Sequence, residues 1–231
     1  TIFIYQIEKN MESQKPKIAM YVKRPFGEKL NASFDFLKEN WKLLLKFTTY
    51  LLLPLCLIQA LSLNGLMSGA LSISAIASST AMAASSSSLI AFGSYYGLYM
   101  FLYLIGIILL TSLVYGLIRT YNEREERLQG VTLGMLKPRL FRNIKRLLLM
   151  TGACILLVLF VGIFVGLLVA LTPFTLFLTI PFIIAFSVPL ALLAPIYLFE
   201  DITLMEAFKK TFRLGFATWG GVFLISLLMG I

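Results

Sequence analysis

Charged and apolar positions in this chain are sorted into long blocks before they are sorted into helical faces. All 20 Lys and Arg and all 11 Asp and Glu fall in residues 8–46, 119–146 and 200–213. The uncharged intervals 47–118 and 147–199 are each long enough for two apolar spans of about 20 residues, and 214–231 for most of one. Two spans return the chain to the side it left, so the three charged blocks share one compartment. Their surplus of Lys and Arg predicts that this is the cytoplasm and that the N-terminus lies there.

Inside the charged blocks a helical period emerges. In YLFEDITLMEAFKKTFRLG, Leu204, Phe208, Thr211, Phe212 and Gly215 fall on one side of a helix and Glu206, Lys209, Lys210 and Arg213 on the other. Thr203 followed by Glu206 reads as a capping box that starts it. In PFGEKLNASFDFLKENWKLLLKF, Phe26, Leu30, Phe34, Leu37, Trp41 and Leu44 oppose Glu28, Asn31, Asp35, Lys38, Glu39 and Lys42. A third amphipathic helix sets Leu133, Leu136, Leu140, Ile144 and Leu147 against Arg139, Arg142, Lys145 and Arg146, with Lys137 and Pro138 blurring its start. Each is read as a helix in the headgroup layer, with its basic side chains placed for anionic lipid or a partner protein.

The spans predicted between these helices have their own features. Span one, about 43–63, carries Pro54; span two, about 94–118, has Tyr95, Tyr96, Tyr99 and Tyr103 toward one end and Tyr115 at the other, as an aromatic belt requires. Residues 64–92 are Ser- and Ala-rich and read as an extracytoplasmic loop or small-residue helix rather than a cleaved signal. Span three, about 147–171, sets Gly162, Gly166 and Ala170 four apart, a spacing that lets helices approach closely, within the chain or between two copies. Span four, about 174–199, contains Pro181, Pro189 and Pro195 after Pro173, which predicts kinks or a break and a candidate hinge or pathway.

Aligning Trp41 with Trp219 sets Phe26, Glu28, Leu30 and Phe34 opposite Leu204, Glu206, Phe208 and Phe212. The fold class expected is therefore an all-α integral membrane protein of about five transmembrane helices, in three parallel repeats of an interfacial helix followed by a hairpin of spans. The third repeat lacks its second span, so a sixth is expected beyond Ile231. Residues 1–24 form a polar N-terminal segment with a candidate initiator at Met11, and residues 25–231 a single membrane domain.

Composition agrees with this reading. The 231 residues are 59% hydrophobic and 13% charged, with a mean hydropathy of +0.89, far from the quarter or so of charged residues in soluble domains. The net charge of +9 lies beside spans, which points to an anionic inner leaflet and away from nucleic acid. Cys56 and Cys154 both fall in spans without metal-ligand spacing and read as small packing residues.

At LAPIYLFEDITLMEAFKKTFRLGFATWGGVF the chain resembles uncharacterised bacterial multi-pass membrane proteins and the membrane domain that precedes the catalytic domain of some glycerophosphodiester phosphodiesterases. The shared features are an acidic step at Glu200 and Asp201, Glu206-Ala207 opening a basic helix, and an aromatic entry at Trp219. FGEKLNASFDFLKENW is similar to the opening of such proteins. The resemblance implies an all-helical fold in a bacterial inner membrane and carries over no activity.

Catalysis has little to work with. The chain has no His, the side chain that most often titrates near neutral pH and ligates metals. Glu200 and Asp201 flank a helix start, where a carboxylate favours the positive end of the dipole, so they are read as capping rather than acid–base groups. No cofactor is expected, and an enzymatic role would need residues beyond Ile231. Gln59, Thr111, Ser112, Thr151, Thr179 and Ser187 are the polar candidates for a pathway, although such side chains more often bond to their own helix or a neighbour. The leading expectation is a non-enzymatic inner-membrane protein docking anionic lipid, a membrane-protein partner or a second copy. The alternative is a carrier or flippase for a neutral or lipid-like molecule.

Overall fold

The computed structural model describes residues 17–19, 22–77, 85–172 and 174–229, with backbone alone for 72–77 and 85–88. Most of the N-terminal polar segment with Met11, residues 78–84, Pro173, Gly230 and Ile231 lie outside the described residues. The described chain is all-helical: α1 (Phe26–Ala77), α2 (Ser85–Glu123), α3 (Leu133–Leu171), α4 (Thr175–Leu190), α5 (Leu193–Phe199), α6 (Leu204–Ala217) and α7 (Trp219–Met229). Among the described residues, four stretches are long and apolar enough to cross a membrane: Phe26–Leu71, Leu89–Glu123, Leu133–Leu171 and the α4–α5 pair, Thr175–Phe199. Helices α6 and α7 qualify as a fifth only if counted together across a bend of 90°.

Helices α1 and α2 form an antiparallel hairpin whose contacts run its full described length. At one end Gly65 and Gly69 admit Tyr95 and Phe92, and a Cβ at Gly65 would come within 2.5 Å of the Tyr95 ring. At the other, Phe36 meets Tyr121 edge-on at 5.2 Å. Around that second end Phe36, Phe47, Leu113, Leu117, Tyr121, Leu128, Val131 and Leu136 make the main core. Helix α3 then returns antiparallel to α2, joined by a reciprocal pair of bonds: Ser112 Oγ donates to the Leu140 carbonyl at 3.0 Å and Asn143 Nδ2 to the Ser112 carbonyl at 3.3 Å.

Two expected interfacial helices are not separate elements. Phe26–Leu44 continues into span one as a single 52-residue helix. Between Phe36 and Leu45 the chain has no Gly or Pro, and the one residue that would favour a turn, Asn40, is buried with its amide bonded back to the Phe36 carbonyl at 3.0 Å. Likewise Leu133–Leu147 runs directly into span three, with Pro138 tolerated near the start of α3. Only Leu204–Ala217 stands as a helix of its own. The Ser/Ala-rich stretch is helical through Ala77, in line with the small-residue helix.

Span four breaks, and the break has a cause. Pro189 cannot donate to the carbonyl four residues back, that of Ala185, and the helix gives way at Ala191–Leu192 before resuming as α5. The freed carbonyl accepts from the Trp219 indole, Nε1 to oxygen 3.1 Å. Pro181 lies exposed inside α4 and Pro195 half-buried in the first turn of α5, where a missing N–H costs little.

Candidate functional site

The three charged blocks, far apart in sequence, meet at one end of the helices. Asp201, in the connection from α5 to α6, accepts from Arg119 of α2 at 3.1 Å and from Arg146 of α3 at 3.0 Å, with Arg142 at 3.6 Å. Arg146 also donates to the Tyr197 and Ile202 carbonyls, at 2.7 and 2.8 Å, and its guanidinium lies 4.2 Å from the Tyr197 ring centroid. One arginine thus fastens α3 to both sides of the α5–α6 connection. Asp201 holds a left-handed backbone, φ 52°, a conformation that Asp tolerates better than most residues and that three cations here hold in place.

The cluster extends along α2. Arg119 bonds Glu123 at 3.0 Å, and Glu123 also takes Arg139, which donates a second bond to Thr120 Oγ1 at 3.1 Å. Farther on, Glu39 of α1 accepts from Arg127 at 2.9 Å and from the Tyr121 hydroxyl at 3.1 Å. Among the described residues Arg127 is the other non-glycine residue with positive φ, 57°. Lys17 donates to the Asn122 and Arg124 carbonyls, which ties the described start of the chain to the end of α2.

Beside this cluster α6 is capped as expected. The Glu206 amide donates to Thr203 Oγ1 at 3.4 Å and the Thr203 amide to the Glu206 carboxylate at 3.0 Å. Those bonds from the Thr203 backbone and hydroxyl hold the Glu206 carboxyl below its ordinary range, with Lys209 adding to the effect. The buried face of α6 keeps Thr211 and Gly215 of the expected one, adds Ala207 beside them, and leaves Leu204, Phe208 and Phe212 half-buried. Ala207, Thr211 and Gly215 are buried, and Gly215 lies so close to Pro189 that a Cβ would come within 2.6 Å of its Cα. Phe212 and Phe216 pack against Phe186 of α4.

The basic residues read as headgroup or partner contacts divide in two. Lys38, Lys42, Lys145, Lys209 and Arg213 are exposed and make no ion pair with another described residue. Arg142 is exposed and makes only the long contact to Asp201. Arg139, Arg146 and Lys210 are instead paired with acids, Arg139 on Glu123, Arg146 on Asp201 and Lys210 on Glu200 at 2.6 Å. A helical wheel puts a cation on the polar side of its helix without showing that an acid from another element waits there. Asp201, read as a cap, is likewise the centre of an ion cluster.

The small-residue stripe also stands differently. Gly162, Gly166 and Ala170 are exposed, and nothing lies within 4 Å of a Cβ built at either glycine, so the stripe packs on no described helix of the chain. Around it the apolar surface is bare: Leu171, Phe174 and Phe177 are each about four-fifths exposed, at 79, 82 and 81%. Cys56, read as a packing residue, is exposed as well, while Cys154 touches the cluster around Leu193 and Tyr197. Of the polar span residues, Thr179 and Ser187 bond carbonyls of their own helix and Ser112 that of α3. Among the described residues, no three His, Cys, Asp or Glu side chains converge as metal ligands.

Comparison with protein-family models, curated proteins and solved structures returns no match. The sequence signal for the arginine–Asp201 cluster was thin: an acidic step just after an apolar span, with arginines at the ends of two others.

Proposed function

We propose that the chain is a non-enzymatic, multi-pass protein of the bacterial inner membrane whose charged end faces the cytoplasm and docks anionic lipid headgroups. The observation that carries this reading is a division of surface. Fully apolar side chains lie bare along α3 and α4, far more than a soluble monomer exposes, while Lys38, Lys42, Lys145, Lys209 and Arg213 at the charged end have no acidic partner among the described residues. Burying so much apolar area calls for hydrocarbon, and uncompensated cations at its border favour phosphate. The separate, capped helix α6, set at 90° to α7, has the geometry of a helix lying in the headgroup plane. A carrier would use a broken helix to present free carbonyls to a substrate, but Trp219 takes the one that Pro189 frees, which favours the docking reading.

The test uses the purified full chain in mixed detergent–lipid micelles containing phosphatidylglycerol and phosphatidylcholine in equal amounts. Retained lipid should be enriched several-fold in phosphatidylglycerol, with the enrichment falling at high salt. Equal retention of the two lipids would remove the basis of the proposal. So would labelling of Lys38 and Lys209 from opposite faces of an intact vesicle.

A further inference from the structure

We infer that one anionic phospholipid binds at a defined place, the groove between α1 and residues 131–133 of the α2–α3 connection. The inference rests on the membrane reading above and adds the site. The groove is open, about 1220 Å³ in volume, and is lined along α1 by Trp41, Lys42, Lys46, Tyr50, Leu53 and Pro54. Lys42, Lys46, Tyr50 and Leu53 follow one another at four, four and three residues, so they form a single stripe that passes from charged to apolar. From Lys42 to Pro54 the helix rises about 18 Å. That is close to the depth of one leaflet, about 15 Å of hydrocarbon, plus a phosphate.

The charge favours phosphate rather than a neutral occupant. Glu39, one turn before Lys42 and its nearest acid along the helix, is already held by Arg127 at 2.9 Å and Tyr121 at 3.1 Å. Lys42 and Lys46 therefore make no ion pair with a described residue, and Lys42 Nζ sits 5.9 Å from the Trp41 ring centroid at the groove mouth. Two cations one turn apart match a phosphodiester, and the Tyr50 phenol, one turn farther along α1, suits the carbonyl layer beneath it. Tyr50 and Leu53, 72 and 51% exposed, offer the acyl chain a surface that the protein leaves uncovered.

The experiment reconstitutes the full chain with phosphatidylglycerol carrying a diazirine on one acyl chain, irradiates, and maps adducts by peptide mass spectrometry. Adducts should concentrate on Tyr50–Pro54. Lys42→Gln with Lys46→Gln should lower them at least threefold, and Leu53→Trp, which fills the groove and leaves its charge intact, should do the same. Lys209→Gln with Arg213→Gln should leave them unchanged. Adducts spread evenly over α1 and α3 and insensitive to the lysine pair would overturn the groove, even with general enrichment of phosphatidylglycerol preserved. Absence of that enrichment in the unaltered chain would overturn the groove and the docking function together. Crosslinks between two copies through Tyr50 would give the groove to a second chain and overturn the lipid.

Discussion

Phe26–Trp41 and Leu204–Trp219 align residue for residue, yet one is the opening of an unbroken 52-residue helix and the other a short helix set at 90° to the next. The alignment shows why. Ala207, Thr211 and Gly215, the face that α6 buries, correspond to Lys29, Ser33 and Leu37, all exposed on α1. Small side chains let α6 press onto Pro189, whereas a lysine and a leucine at the same places cannot. Helix α1 turns another side inward, through Phe36, Asn40 and Phe47. Pro25 stands where α6 has Thr203, with neither a hydroxyl to cap nor an amide for Glu28 to bond. A shared amphipathic period therefore settles that each segment is a helix, and the side chains at one face settle where it goes.

The sharpest test of that contrast is Gly215→Val. Its Cβ would enter the space of the Pro189 backbone, so stability should fall by about 3 kcal/mol, near the upper end of the cost of overpacking. Leu37→Val, the matching change in α1, should stay within about 0.5 kcal/mol. Thermal unfolding in detergent reads both, and equal effects would break the comparison. Next is Asp201→Ala, which leaves Arg146 and Arg119 without their shared acid. The exposure of Asp201, 40%, lowers the cost from that of a buried pair to about 2 kcal/mol. Lys23→Ala, the aligned position, should change nothing measurable.

Trp219→Phe keeps an aromatic ring and deletes the donor to the Ala185 carbonyl, so about 1 kcal/mol should be lost, and Trp41→Phe should be neutral in the same assay. Thr203→Ala removes the cap of α6 at a cost of about 1 kcal/mol, with no counterpart at Pro25. The Glu206 carboxyl is lowered on folding, so the stability it contributes is complete above the ordinary carboxylate pKa and is lost as pH falls through its folded value. Acid titration of the unfolding midpoint should show that decline in the wild type and a flatter curve in Glu206→Gln.

Much of this architecture was legible because charge is costly to take out of water and so marks the ends of long apolar helices. The blocks at 8–46, 119–146 and 200–213 placed the apolar stretches, the helical period identified the segments between them, and Thr203 with Glu206 fixed the start of α6. Pro189 was legible as a break but Trp219 as its remedy was not, since a lone indole carries no sign of which carbonyl it will reach. The pairing of Arg139 and Arg146 with acids was hidden for the same reason: Glu123 is 16 residues from Arg139, and Asp201 is 55 from Arg146.

By itself the chain's pattern determined that helices form, which ones are long and apolar enough to cross a bilayer, and that ionised groups gather at their ends, because these follow from local period and from the cost of moving charge out of water. The tertiary structure decided which cations are taken and which remain free, which amphipathic helix bends away, and that the small-residue stripe of α3 stays uncovered. Those outcomes depend on acids, carbonyls and close contacts supplied by distant segments, and their positions become defined only when the helices pack.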